Sequence, residues 1–100
     1  MPSDLAKQLA EYELPREKIE AALDMVRTEL YKAFAKHGMK FASPHEGHSV
    51  IREELDPELW AHVCGDTGRT EAAGKEACQV AAMAVKYMVN FDPRLGDGSL

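Results

Sequence analysis

Residues 71–91 constrain this chain more than any other segment. Beyond Cys78, the run Val80, Ala81, Ala82, Met83, Ala84, Val85, Tyr87, Met88 and Val89 is apolar on nearly every side of a helix, so no one face can be turned wholly to water. Such a helix belongs at the centre of other helices, and its alanines allow them to approach closely. Thr70 or Glu71 opens it, and Asp92-Pro93 closes it after Phe91. Its longest uncharged run, Ala77 to Val85, is far too short to span a bilayer, and the first residues lack the apolar core of a signal peptide. A cytoplasmic protein without a membrane partner is expected.

The same periodicity supplies the neighbours. From Pro15, suited to a first helical position, Ile19, Ala22, Leu23, Val26, Leu30 and Phe34 recur at steps of three and four until Gly38 stops the helix. Its other face, with Glu17, Lys18, Glu20, Asp24, Arg27, Glu29 and Lys32, reads as a solvated surface. Ser3 caps a short peripheral helix that Leu14-Pro15 ends. Ser43-Pro44-His45-Glu46 starts another with an N-cap, a proline in the first turn and a capping-box glutamate. Asp56-Pro57 interrupts that helix, Glu58 to Val63 resumes it, and Gly65-Asp66-Thr67-Gly68 forms a turn. No strand-like alternation occurs, so the class is all-α, a bundle of three to five helices. Residues 1–91 read as one domain and 92–100 as a flexible tail. With 100 residues, 45% of them hydrophobic, the chain can build one modest core. Covering the last helix then calls for a second copy, in a dimer or tetramer.

Twelve basic against seventeen acidic residues give a formal charge of −5, which opposes general binding to nucleic acid polymers or anionic membranes. A phosphorylated substrate would need local lysines or a metal. Cys64 and Cys78 lack a CxxC partner or zinc-ligand spacing and read as reduced thiols without an assigned role. His45 and His48 form HxxH, without the HExxH spacing of a zinc helix, and read as polar surface.

The acids are less evenly spread. Glu46 and Glu53, two turns apart, leave the same face of one helix with Val50 between them, and Glu54 adjoins. Carboxylates turned inward cost a great deal unless paired, and a hard divalent cation is a common partner. On their own, Glu46 reads more readily as a capping residue and Glu53-Glu54 as solvated charge than as metal ligands; a further acid at Glu76 on the last helix reverses that balance.

Taken together, Lys36-His37-Gly38, Ser43-Pro44-His45-Glu46-Gly47 with Glu53-Glu54-Leu55, and Lys75-Glu76-Ala77-Cys78-Gln79-Val80-Ala81-Ala82-Met83 resemble a MazG-like nucleotide pyrophosphohydrolase over residues 17–91. The resemblance implies an all-α oligomer that uses Mg2+, with Mn2+ as a substitute, to cleave a nucleoside triphosphate to monophosphate and pyrophosphate. It matches Glu53 and Glu54 to the family's adjacent glutamates and Glu76 to its later one. Pro57 stands where the family has a third acid, and Gln79 where it has an aspartate. Asp56 and Glu58 flank that gap as possible auxiliary acids, while Gln79 retains a neutral carbonyl oxygen. The expected roles are therefore Glu53 and Glu76 on the metal, Glu54 as general base or further ligand, and Glu46 as ligand or hydrogen-bonded to one. Lys36 and Lys40, beside His37, are candidates for the substrate phosphates, although lysines closing a helix also complement its dipole. Trp60 is a candidate for stacking on the base or for packing. The competing expectation is an assembly module that keeps the scaffold and has lost catalysis at Pro57 and Gln79.

Overall fold

Helix starts and chain breakers divide the chain into five α-helices, with no strand among the described residues. The computed structural model describes residues 4–9 and 14–96, as α1 (Asp4–Leu9), α2 (Arg16–His37), α3 (Pro44–Glu53), a kinked segment (Glu54–Leu59), α4 (Trp60–Gly65) and α5 (Glu71–Phe91). The fold is all-α, as the periodicity requires. Among the described residues, no helix is long and apolar enough to cross a membrane.

The boundaries follow local chemistry. The Ser43 hydroxyl accepts from the Glu46 N–H at 3.1 Å, and the Thr70 hydroxyl from the Ala73 N–H at 3.1 Å, so α3 and α5 each begin on a side-chain cap. Gly38, at φ 84°, turns the chain out of α2. Ahead of Pro57, Asp56 leaves the helical region (φ −144°, ψ 107°), which breaks the line of α3. Between α4 and α5 the Asp66 carboxylate accepts from His62 Nδ1 at 2.7 Å, the Gly68 N–H at 3.2 Å and the Thr70 hydroxyl at 3.2 Å. The His62 bond is the largest of the causes holding the Asp66 carboxyl below the usual range.

Helix α5 packs against α2, α3, the kinked segment and α4, the central position its composition demands. Leu30, Phe41, Ala82 and Met83 form the buried core, flanked by Val50, Ile51, Tyr87 and Phe91 among others. Gly47 of α3 permits close approach, because a Cβ there would lie only 2.7 Å from Tyr87 Cδ2. At the far end of α5, Asn90 Oδ1 accepts from the Phe41 N–H at 2.9 Å. Its Nδ2 donates to Met39 O at 2.9 Å and Lys86 O at 2.8 Å, tying the α2–α3 loop to α5.

Three expectations change. Lys86 is buried within the apolar helix, its Nζ 4.3 Å from the Phe41 ring centroid, where a long aliphatic stem and an aromatic face accommodate the cation. On α2 the apolar stripe is covered only in its C-terminal half: Leu30 is buried, whereas Ile19 is 42% and Leu23 52% exposed. The expected tail begins as a turn, Pro93–Leu95, which Asp92 caps by accepting from the Arg94 N–H at 2.9 Å. The Arg94 side chain on the same carboxylate lowers the Asp92 carboxyl to about 2. The Ser3 cap and the last four tail residues lie outside the described residues.

Candidate active site

Helices α2, α3 with the kinked segment, and α5 leave a cleft of about 570 Å³ between them. Glu53 ends α3, Glu54 follows it, and Glu58 enters from beyond the Asp56 kink. From α5 come Glu76 and Gln79, one turn apart on the same face. The α2 wall carries Glu29, Lys32, Lys36 and His37, and Ala33, Val50 and Met83 supply an apolar lining.

The carboxylates strain one another electrostatically. Glu54 has its pKa raised by partial burial first, then by the Glu76 and Glu58 charges, a side-chain hydrogen bond with Glu76, and the Glu53 charge. Carboxyls from the kinked segment and from α5 thus meet, an arrangement that a cation between them would relieve. As the side chains stand, no three His, Cys, Asp or Glu among the described residues are grouped closely enough to hold a metal ion. The donor chemistry nevertheless suits magnesium, since every acid on the cleft offers hard oxygen and Glu53 and Glu58 are exposed, flexible side chains beside the Glu54 and Glu76 pair.

Four of the expected site residues lie elsewhere. Glu46 is exposed, and its Oε1 accepts from the Ala42 N–H at 2.9 Å, so its carboxylate ties the first turn of α3 to the loop just before it instead of lining the cleft. Lys40 follows the Gly38 turn, so it departs from the line of Lys36 and does not line the cleft. Trp60 is 58% exposed. It borders a separate recess of about 320 Å³ with Leu55, Asp56, Leu59 and Val63. Asp56 faces that recess because the kink that brings Glu58 to the cleft turns its neighbour away.

Two residues of the cleft, Glu29 and Lys32, lie on the face of α2 that its helical pattern alone turns to solvent. Glu29 Oε2 accepts from Gln79 Nε2 at 2.9 Å across the α2–α5 seam. A signal was present, since Glu29, Lys32 and Lys36 recur at helical spacing beside the apolar stripe of Val26, Leu30 and Phe34. Cys78, near this seam, has its thiol pKa raised by burial and then by the Glu29 charge, while Cys64 is exposed. His45 and His48 are exposed on α3. No protein-family profile, curated protein or solved structure matches this chain.

Proposed function

We propose that this chain is a magnesium-dependent nucleoside triphosphate pyrophosphohydrolase, cleaving ribo- or deoxyribonucleotides to the monophosphate and pyrophosphate. The observation carrying this reading is the polarity of the cleft. Carboxyls of Glu53, Glu54, Glu58 and Glu76 come from α3, the kinked segment and α5, while α2 brings Lys32, Lys36 and His37 beside a single acid, Glu29, which the Gln79 amide engages. A triphosphate is a polyanion that needs cations on one side and metal-holding oxygens on the other, and both requirements meet in this space.

Glu76 and Glu53 are the residues to hold the ion, with Glu58 as auxiliary acid and Gln79 offering a neutral oxygen. Magnesium, when bound, supplies neutralisation of phosphate charge and a lowered pKa for attacking water. The protein's own part is to orient the substrate. Lys32 and Lys36 attract phosphate oxygens, His37 offers a further hydrogen bond, and the apolar lining limits water at the scissile phosphate. Glu54 is the candidate proton acceptor, since the partial burial and neighbouring acids that raise its pKa also raise its basicity.

A homo-oligomer, dimer or tetramer, in the cytoplasm belongs to the same proposal. Its support is the thin core and a radius of gyration of 15.9 Å. A compact domain of this length has about 13 Å. Ile19, Leu23 and Met25 on α2 are all exposed and would be covered by another copy. The test combines light scattering, for the assembly, with thermal melting in the presence and absence of Mg2+. An ion binding only the folded form raises the midpoint, and Glu76→Gln is expected to remove that rise. Absence of any rise in the wild type, with no pyrophosphate formed from any triphosphate, would leave the rival reading of a non-catalytic assembly module. That rival is favoured by Pro57 and Gln79, which stand where the family it resembles has acids.

A further inference from the structure

The Glu29–Gln79 contact has a chemical asymmetry that fixes more than a distance. An ionised carboxylate accepts hydrogen bonds and donates none, so the amide end facing it is the nitrogen. Gln79 Nε2 donates to Glu29 Oε2 at 2.9 Å, which leaves Oε1 as the free end of the amide. Gln79 follows Glu76 by one turn on α5, and both line the cleft with Glu53 and Glu54. Among the described residues Glu29 has no ion pair of its own, so its carboxylate is engaged by this amide instead of by a lysine.

We infer that Glu29 is a positioning residue that holds Gln79 with its carbonyl oxygen presented as a neutral acceptor for a divalent cation or its coordinated water. The inference rests on the metal-dependent reading above. Its physical basis is twofold. Donating to an anion polarises the amide and strengthens its oxygen as an acceptor, since hydrogen bonds in series reinforce one another. A neutral oxygen also adds a donor atom without adding another negative charge beside carboxyls that already repel. On this view the chain retains its negative charge one step back, on α2, and passes its influence through the amide.

The test is Mn2+ binding to the full-length protein, followed by electron paramagnetic resonance, for wild type, Glu29→Ala, Gln79→Ala, the double variant and Glu29→Gln. Partners that orient a ligand typically contribute about tenfold or more to metal affinity, and that loss is expected for Glu29→Ala. In the Gln79→Ala background, Glu29→Ala should have almost no further effect, because the residue through which it acts is gone. Glu29→Gln keeps an acceptor oxygen and is expected to bind Mn2+ more tightly than Glu29→Ala. Equal losses from Glu29→Ala in both backgrounds, or a Glu29→Gln variant no better than Glu29→Ala, would overturn the positioning role while leaving metal binding in place. Failure of the wild type to bind Mn2+ would overturn both the inference and the reading on which it rests. Circular dichroism on each variant separates these results from loss of fold.

Discussion

Replacing Gly47 with alanine tests the packing that holds α3, and thus Glu53, against α5. The added Cβ would lie 2.7 Å from Tyr87 Cδ2, 3.2 Å from Tyr87 Cε2 and 3.1 Å from Phe41 Cδ2. Comfortable carbon contacts begin near 3.5 Å, so the rings must move by most of an ångström. They have limited freedom to do so. Tyr87 meets Phe91 edge-on with centroids 5.0 Å apart, and Phe91 lies near-parallel to Phe41 at 6.5 Å. Overpacking of this kind costs about 1–3 kcal/mol. Alanine returns about 1 kcal/mol through helix propensity, leaving a net loss of about 1 kcal/mol. For a domain of this size that lowers the melting temperature by about 4–8 °C. Gly74→Ala is the matched control, because nothing lies within 4 Å of a Cβ at that position in α5. The same substitution there should raise the melting temperature, by about 0.5–1 kcal/mol of added stability. Thermal and urea denaturation at a single protein concentration measures both. A Gly47→Ala protein that melts at or above wild type would refute the close approach of α3 and α5.

Other predictions bear on the cleft and its supports. Glu54 has a folded pKa raised above its ordinary 4.5, so its contribution to stability is full below that value and is lost as pH rises through the raised pKa. Glu54→Gln should therefore melt higher than wild type at neutral pH without metal, with the gap narrowing towards pH 4.5; a gap that widens on acidification contradicts the sign. Asn90→Ala removes the partner of the Phe41 N–H and two further bonds, and should cost about 1–3 kcal/mol. Faster hydrogen exchange at the Phe41 amide would accompany it, and unchanged exchange would count against the tether. Substituting Lys36 with alanine should weaken triphosphate affinity while Lys40→Ala leaves it unchanged, because only Lys36 lines the cleft. Isothermal titration with a non-hydrolysable triphosphate distinguishes the two, and equal losses would mean the loop reaches the substrate.

Much of the fold was legible because its determinants are local. Ser43, Pro44, Gly38 and Thr70 act within a turn of where they stand, and they set the limits of α2, α3 and α5. The all-round apolar character of α5 likewise predicts its central place. The cleft was only partly legible, since it depends on which helix faces meet. Glu53, Glu54, Glu76 and Gln79 were expected to act together, and they line one space. Glu46 shows the limit of a periodicity argument: two turns place it on the face of Glu53, but its carboxylate is engaged by the Ala42 N–H of the loop just before α3. Glu29 shows the converse. A charged residue on a helix reads as solvated until the neighbouring helix supplies Gln79 opposite it, and no feature of α2 alone announces that partner. At Asp56-Pro57 the sequence marks a break, but the direction of the emerging chain decides that Glu58 lines the cleft and Asp56 does not.

The central claim concerns which phosphate bond is broken. Phosphorus NMR on each ribo- and deoxyribonucleoside triphosphate, mixed with this protein and Mg2+, resolves the products directly. The account predicts monophosphate and pyrophosphate in equal amounts, with the reaction abolished by Glu76→Gln in a protein of unchanged helical content. Diphosphate and orthophosphate instead, or an unchanged spectrum for every triphosphate, would contradict it.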